Sequence, residues 1–276
     1  MAPSDGALRT RLTHTLEVAA MATEIAAALD LDVDLAGSIA LAHDIGHPAF
    51  GHAGERALAQ VSGVGFHHAA HGVRVLTALS PRGFVVSDAV LAGVLRHSKG
   101  RSGSTFAKGR LAETSIEALV VRAADLYAYA WHDLEDAYEL GLVHPDDLPS
   151  DVRRALGPDP REIRDRLVRG TIAASSARDI GLVGELATAL EQLRAHLYEH
   201  LYESWLLARQ TDTARRVIER LFARYLREEE GVLAASGRTI TPSDDARQRA
   251  VDLVASLGDR EALDLDARLS AIGIAA

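Results

Sequence analysis

The sequence predicts an all-α protein, and three observations support that fold class. Apolar residues recur every three or four positions along most of the 276 residues, as on the buried face of a helix. Residues that start or stop helices stand between these periodic stretches. Alternating apolar and polar residues, the pattern of a half-buried strand, never continue for more than four positions, and residues 83–86 are the nearest candidate.

The helices predicted in the first half follow from this spacing. Leu12 and Leu16 begin one apolar face. Asp34 is expected to cap a second helix that runs to about residue 43 and stops at Gly46 and Pro48. Further helices are predicted at 54–60, 67–79, 88–97 and about 115–140, with an exposed loop at 98–110.

Four prolines between 145 and 160 mark the one plausible boundary in the chain. We therefore expect a core at 1–145 and a helical C-terminal part at 146–276 that packs on it, together forming one continuous globule. The predicted helices of the second part lie at about 161–176, 182–207, 212–229, 243–256 and 259–271.

The composition excludes several classes of protein. Hydrophobic residues make up 47% and charged residues 25%, as in ordinary globular proteins. A net charge of -9 argues against a general nucleic-acid binder. The absence of cysteine excludes disulfides and thiolate metal sites. Because the sequence has neither a signal-peptide pattern nor a long apolar run, we expect a cytoplasmic protein without a membrane span.

Histidine is distributed unevenly along the chain. Of the 12 histidines, nine lie between His14 and His132, and seven of them precede Gly72. Histidine is the commonest metal ligand and the usual proton carrier near neutral pH. The first half is therefore where a reactive site is expected. His97, His144, His196 and His200 have no comparable neighbours in sequence, and we interpret them as surface or packing residues.

Two imidazoles and two carboxylates in this half could close around one divalent ion. They come from three predicted helices and are His14, His43, Asp44 and Asp125. Imidazole combined with carboxylate suits Mn, Fe, Co, Ni or Zn better than Ca. Four ligands leave positions for water and substrate, as a catalytic site requires. The alternative is that these are capping and surface polar residues.

Longer segments around these residues carry a family resemblance. They read RLTHTLEVA at 11–19, ALAHDIGHPAFGHAGERAL at 40–58, FHHAAHGVRVL at 66–76 and ADLYAYAWHDLEDAYELGLV at 124–143. The set closely resembles the deoxyguanosine triphosphate triphosphohydrolases (dGTPases), which are HD-domain phosphohydrolases. Residues 192–228 resemble the arginine-rich helical hairpin of that family, and residues 249–263 resemble its closing segment. The resemblance implies an HD-domain helical fold with a metal site between helices and a helical C-terminal extension.

The resemblance also implies roles for individual residues. His14, His43, Asp44 and Asp125 would bind one catalytic divalent ion, most often Mn or Mg, with Fe, Co, Ni and Zn as alternatives. His52 and Glu55 would form the catalytic pair, and His47 and His68 would line the phosphate path. Arg11 would reach the nucleotide, and Tyr129 and Asp133 would contact the sugar and exclude the ribonucleotide. Where His71 stands, the family usually has Gln.

Helical spacing agrees with the last of these assignments. Asp125, Tyr129 and His132 are four and three residues apart and share one helix face, with Asp133 beside it. At a rise of about 1.5 Å per residue, Tyr129 and Asp133 lie about 6 Å and about 12 Å along the helix from Asp125. A nucleotide's phosphate and sugar are separated by a similar length. Periodicity alone favours Tyr129 as a core tyrosine with a satisfied hydroxyl.

The activity implied by the resemblance is metal-dependent hydrolysis of dGTP or several dNTPs to a deoxynucleoside and inorganic triphosphate. Two alternatives stay open. One is another HD-type phosphohydrolase that acts on a nucleoside monophosphate or another phosphoester, and the other is a nucleotide-sensing homologue without catalysis. The family also implies a homo-oligomer. We expect neither a membrane nor a stable nucleic-acid complex among the partners.

Overall fold

A computed structural model describes residues 10–80, 85–98, 115–202, 205–238, 243 and 245–273. Over these ranges the regular structure is helical, with thirteen α-helices, one 3-10 turn, one π-helical turn and no β-strand. The predicted all-α class is confirmed. The expected loop at 98–110 lies outside the described residues apart from Ser98, and so do two of the four residues of the strand candidate at 83–86.

The helices are numbered in chain order. They are α1 (Arg11–Ala28), α2 (Val33–Ala42), α3 (Gly51–Ser62), α4 (His68–Thr77), α5 (Asp88–Arg96), α6 (Ile116–Glu139), α7 (Ser150–Ala155), α8 (Pro160–Ala174), α9 (Gly184–Leu197), α10 (Trp205–Arg227), α11 (Glu229–Ser236), α12 (Ala246–Ala255) and α13 (Asp259–Ala271). The 3-10 turn spans Pro145–Asp147 and the π-helical turn spans Tyr198–Tyr202.

Local chemistry sets most of the helix starts. Side-chain oxygens of Thr10, Ser87 and Ser115 accept backbone N–H groups at the starts of α1, α5 and α6. Asp32, and not the predicted Asp34, caps α2 by accepting the N–H of Leu35. Both residues are good caps, but only Asp32 adopts the extended backbone that a cap requires, while Asp34 lies in the first helical turn.

The predicted break between 207 and 212 is absent, because α10 runs through these positions from Trp205. This stretch contains neither glycine nor proline, so nothing in it opposes a helix. The helix predicted at 182–207 instead ends as α9 at Leu197, followed directly by the π-helical turn.

The backbone forms two compact units. Unit 1 comprises residues 1–43 and 87–204 and is built around α6, which packs against α1, α2, α5, α8 and α9. Tyr127 lies fully buried at its centre, and its hydroxyl is hydrogen-bonded to that of Thr171 at 2.6 Å. Satisfying this hydroxyl removes the main cost of burying a tyrosine.

Unit 2 comprises residues 44–86 and 205–276. Its helix α10 packs against α3, α11, α12 and α13, and Leu58, Tyr225 and Val254 are fully buried in this core. Asp252 of α12 receives two hydrogen bonds from the guanidinium of Arg74, which ties α4 to α12. Each unit contains residues from both sides of position 145. The division into a core at 1–145 and a C-terminal part at 146–276 stays a prediction.

No helix among the described residues combines the length and the apolar character that crossing a bilayer requires.

Candidate active site

Unit 1 brings three of the predicted metal ligands together. His14 lies in the first turns of α1, His43 directly follows α2, and Asp125 lies in the middle of α6. Asp125 Oδ1 is 3.1 Å from His14 Nε2 and 3.5 Å from His43 Nε2. Two imidazole nitrogens therefore converge on one carboxylate oxygen.

The orientation of His43 suits a metal ligand. Its Nδ1 lies 2.6 Å from the carbonyl oxygen of Ala40, and because a carbonyl only accepts, Nδ1 carries the hydrogen. In the neutral ring, the lone pair then lies on Nε2, which is the atom that faces Asp125. A hydrogen bond from the second nitrogen to a carbonyl is the usual way in which proteins orient a metal-binding imidazole.

The distances in this cluster fit a divalent ion. Metal–nitrogen and metal–oxygen bonds of about 2.0–2.2 Å place neighbouring ligand atoms about 3.0–3.5 Å apart around the ion. The spacings from Asp125 Oδ1 to the two imidazoles fall in this range. Asp44 follows His43 directly in the chain, and His and Asp together form a donor set for transition metals.

Two further histidines border the cluster in unit 1. His97, at the end of α5, is 2% exposed, and its ring centroid lies 5.2 Å from that of His43. Its Nδ1 donates to the carbonyl of Val94, and the carbonyls of His97 and Arg96 accept from Arg122. His97 therefore lies buried beside His43, although no sequence spacing linked the two residues.

His132 also lies next to the cluster. Its Nδ1 is 3.5 Å from His14 Nδ1, and its other nitrogen pairs with the Glu17 carboxylate one turn further along α1. Asp125 and His132, which were predicted to share one face of α6, therefore both contact His14 of α1.

The substrate-contact candidates of unit 1 lie on the same two helices. The ring centroid of Tyr129 is 4.7 Å from that of His14, and the side chain is half-buried. Asp133, one turn further along α6, is also half-buried. Arg11 is exposed at the first position of α1, three residues before His14. Tyr129 therefore packs directly on a metal-ligand candidate.

In unit 2, Glu55 connects two of the predicted catalytic histidines. Its Oε2 lies 3.0 Å from His52 Nδ1, one turn earlier on α3. Its Oε1 lies 2.8 Å from His68 Nδ1 and also accepts the backbone N–H of His68 at 2.8 Å. The side chain of His52 is 56% exposed, whereas His68 is buried. Glu55 therefore holds the exposed imidazole of His52, which solvent and ligands can reach.

His47 completes this group. Its ring stacks on His68 with centroids 4.0 Å apart and planes at 10°. Its Nε2 lies 3.5 Å from Asp44 Oδ1, and its Nδ1 lies 4.0 Å from Glu55 Oε2. Unit 2 therefore gathers all four residues that were predicted to be catalytic.

Burial and hydrogen bonding determine the charges in this group. Burial lowers the pKa of His47 to about 3, so its imidazole is neutral at pH 7. Burial alone would raise the pKa of Glu55, but the hydrogen bonds from His52 and His68 outweigh it and hold the pKa well below its ordinary range. A permanent carboxylate therefore faces three imidazoles.

Two glycines near the histidine–glutamate group allow neighbouring backbone segments to approach each other closely. A Cβ at Gly46 would overlap the carbonyl oxygen of His68 and the backbone of Gly72, and a Cβ at Gly54 would overlap the carbonyl of Ala49. Gly46 thereby lets the turn that carries His47 lie against α4.

Known proteins resemble the chain over most of its length. Residues 11–130 match the HD domain family, and residues 180–268 match the phosphohydrolase-associated domain family. A deoxyguanosinetriphosphate triphosphohydrolase-like protein of Desulfatibacillum aliphaticivorans is 34% identical over 95% of this chain and 78% of that relative. The chain belongs to the dGTPase-like family of HD-domain phosphohydrolases.

Other dGTPase-like relatives support the same family. The protein from Rhodopseudomonas palustris (strain BisB18) is 33% identical over 95% of this chain and 82% of the relative. The protein from Caldanaerobacter subterraneus subsp. tengcongensis is 38% identical, but the match covers 80% of this chain and 63% of that relative. The predicted family is confirmed. The histidine–aspartate cluster in unit 1 is consistent with the metal site of an HD-domain phosphohydrolase.

Proposed function

We propose that this protein hydrolyses deoxynucleoside triphosphates, dGTP or several dNTPs, to a deoxynucleoside and inorganic triphosphate. The convergence of His14 and His43 on Asp125 Oδ1 carries the proposal, because it supports a divalent-ion site in a chain whose relatives are named dGTPase-like. The names of the relatives suggest the substrate class. The metal-ligand candidates of unit 1 and the histidine–glutamate group of unit 2 suggest metal-assisted hydrolysis with proton transfer.

In this proposal, His14, His43, Asp44 and Asp125 hold one divalent ion, with Mn²⁺ or Mg²⁺ as the first candidates. When bound, such an ion polarises a phosphate oxygen and offsets charge on the phosphates. The hydrogen bond from His43 Nδ1 to Ala40 keeps Nε2 directed at the site without reorganisation.

His52 is proposed as the proton donor, with Glu55 as the residue that orients it. A water oxygen bonds to the α-phosphorus while the bond from phosphorus to the 5′ oxygen breaks. The water releases one proton to solvent, and the 5′ oxygen gains one from His52. Because Glu55 accepts from Nδ1, the exposed Nε2 of His52 is the atom that gives this proton. His47 and His68 line the phosphate path.

The remaining assignments concern substrate choice. We propose that Arg11 reaches the nucleotide and that Tyr129 and Asp133 contact the deoxyribose. The packing of Tyr129 on His14 supports a position close to the phosphates. A 2′-hydroxyl would then meet Tyr129, so Tyr129→Ala should increase the use of GTP relative to dGTP.

The deciding experiment measures inorganic triphosphate, pyrophosphate and phosphate released from each of the four dNTPs and from GTP, with Mn²⁺ and with Mg²⁺. The proposal expects intact triphosphate from at least one dNTP and little from GTP. Release of single phosphates, or turnover of monophosphates alone, would instead favour another HD-type phosphohydrolase. Tight dNTP binding without any product would favour a nucleotide sensor.

We also infer from the family that the chain forms a homo-oligomer. Light scattering on the purified protein tests this, and a mass of one chain across the working concentration range would contradict it.

A further inference from the structure

The histidine–glutamate group of unit 2 has a property that the proposed reaction does not use. The Nδ1 atoms of His52, His68 and His47 all face the Glu55 carboxylate, at 3.0, 2.8 and 4.0 Å from its nearer oxygen. Taken one per residue, the ligand atoms of these four side chains lie within 4.8 Å of one another. We call this group the His₃Glu cluster.

The donor set selects a class of ligand. Three imidazoles and one carboxylate match the first coordination shells of transition metals, whereas Mg²⁺ and Ca²⁺ prefer shells made of oxygen. Zn²⁺ in particular binds four such ligands in a tetrahedron. The cluster is therefore chemically suited to a transition-metal ion such as Zn²⁺ and poorly suited to Mg²⁺.

The geometry requires little change to hold such an ion. With bonds of about 2.0–2.1 Å, the ligand atoms of a tetrahedral Zn²⁺ lie about 3.3–3.4 Å apart. The closest pairs around Glu55 are 2.8 and 3.0 Å apart and would separate slightly, while His47 would move inward from 4.0 Å. These displacements are within the range of side-chain rotations.

The surroundings hold the ligands in place. Glu55 Oε1 accepts the backbone N–H of His68, which fixes the carboxylate on the end of α4. His47 Nε2 lies 3.5 Å from the Asp44 carboxylate, while Nδ1 of the same ring faces Glu55 at 4.0 Å. His52 is more than half exposed, which gives an ion a route from solvent.

We propose that His47, His52, Glu55 and His68 form a second metal site that takes a borderline transition-metal ion such as Zn²⁺ or Co²⁺. The inference goes beyond the proposed function, because it concerns binding by this cluster and not the nature of the substrate. One consequence does rest on the proposed function. An ion bound to Nδ1 of His52 displaces its hydrogen bond to Glu55, so Zn²⁺ should inhibit triphosphate release.

The test measures metal binding directly on the full chain. After removal of metals with a chelator, equilibrium dialysis against Zn²⁺ gives the number of ions bound per chain. We expect His52→Ala, at an exposed position, to bind one ion fewer than the wild type. His14→Ala should also bind one fewer, through loss of the unit 1 site, and the double variant two fewer. His144→Asn, at an exposed histidine outside both clusters, is the matched control.

A spectroscopic measurement makes the assignment independent of activity. Co²⁺ in a four-coordinate nitrogen and oxygen site gives intense visible absorption, which six-coordinate Co²⁺ does not. These bands should persist in His14→Ala and His144→Asn and disappear in His52→Ala and in Glu55→Gln. Equal Zn²⁺ binding by the wild type and His52→Ala, or no loss of these bands in the two cluster variants, would overturn the proposal. If Zn²⁺ binds as expected but no triphosphate is ever released, the proposed function fails and the metal site stands.

Discussion

His14 Nε2 lies 3.1 Å from Asp125 Oδ1, although 111 residues separate the two in sequence. The contact joins the first turns of α1 to the middle of α6 inside unit 1. Because His43 Nε2 lies 3.5 Å from the same oxygen, Asp125 is the residue on which the candidate metal site depends.

Removing one of these ligands should release the ion. We expect Asp125→Ala to lose bound Mn²⁺ and triphosphate release together, because two imidazoles and one carboxylate hold the ion far less tightly than the full set. Metal analysis after dialysis, with Zn²⁺ excluded, measures the loss. Glu139→Ala, at the exposed end of the same helix, should retain both metal and activity. Full Mn²⁺ content in Asp125→Ala would rule out its assignment as a ligand.

Changing the proton donor should separate chemistry from metal binding. His52→Ala should reduce kcat by about 10²-fold or more, the usual contribution of a general acid, while Mn²⁺ bound in unit 1 stays unchanged. Glu55→Gln should also reduce kcat, because an amide cannot stabilise the protonated imidazole. Steady-state assays with saturating dNTP give kcat for both variants. Near-normal turnover by His52→Ala would show that another group supplies the proton.

The link between α4 and α12 should contribute strongly to the stability of unit 2. Asp252 is almost fully buried and accepts from Arg74 Nε and Nη2 at 2.8 and 2.6 Å and from Gln248 at 2.9 Å. Asp252→Asn leaves the partly exposed guanidinium of Arg74 without its carboxylate partner and disrupts the hydrogen bonds of a buried side chain. We expect a loss of about 1–3 kcal/mol in the free energy of unfolding. Urea denaturation measures it. Asp264→Asn, at an exposed position, should change stability by less than about 0.5 kcal/mol. A similarly small change in Asp252→Asn would contradict the assigned role.

His71 should make folding sensitive to mild acid. Burial lowers its pKa from 6.5 to about 4, an effect that Asp252 opposes in part and Arg74 reinforces. As the pH falls below 6.5, the unfolded chain binds a proton at this position that the folded chain does not, so stability decreases down to about pH 4. Above pH 6.5 the imidazole is neutral in both states and contributes no pH dependence.

The substitution His71→Gln places the residue usual in the family at this position and cannot titrate. We expect it to reduce the loss of stability between pH 7 and pH 5. The part that His47 contributes through its own lowered pKa, which is at least as large, remains. Urea midpoints at both pH values make the comparison, with His144→Asn as an exposed control. An unchanged pH dependence in His71→Gln would show that His71 is not the titrating group.

The sequence by itself determined the fold class and the approximate helices, and it supplied the candidate site residues. Helical periodicity and caps are local properties, so the 24 residues of α6 were predicted to within one position at each end. The motifs around His43 and His52 indicated the family, since their spacing is more specific than a bare His-Asp pair.

Only the tertiary structure decided which atoms of these residues meet. Sequence does not specify that His43 presents Nε2 to Asp125, that His97 packs on His43, or that three Nδ1 atoms face Glu55. The choice of Asp32 over Asp34 as a cap was likewise undecided, because both have the required side chain. These outcomes depend on how segments that are distant in sequence pack their apolar faces against one another. Such packing cannot be predicted from the residues that neighbour each site in the chain.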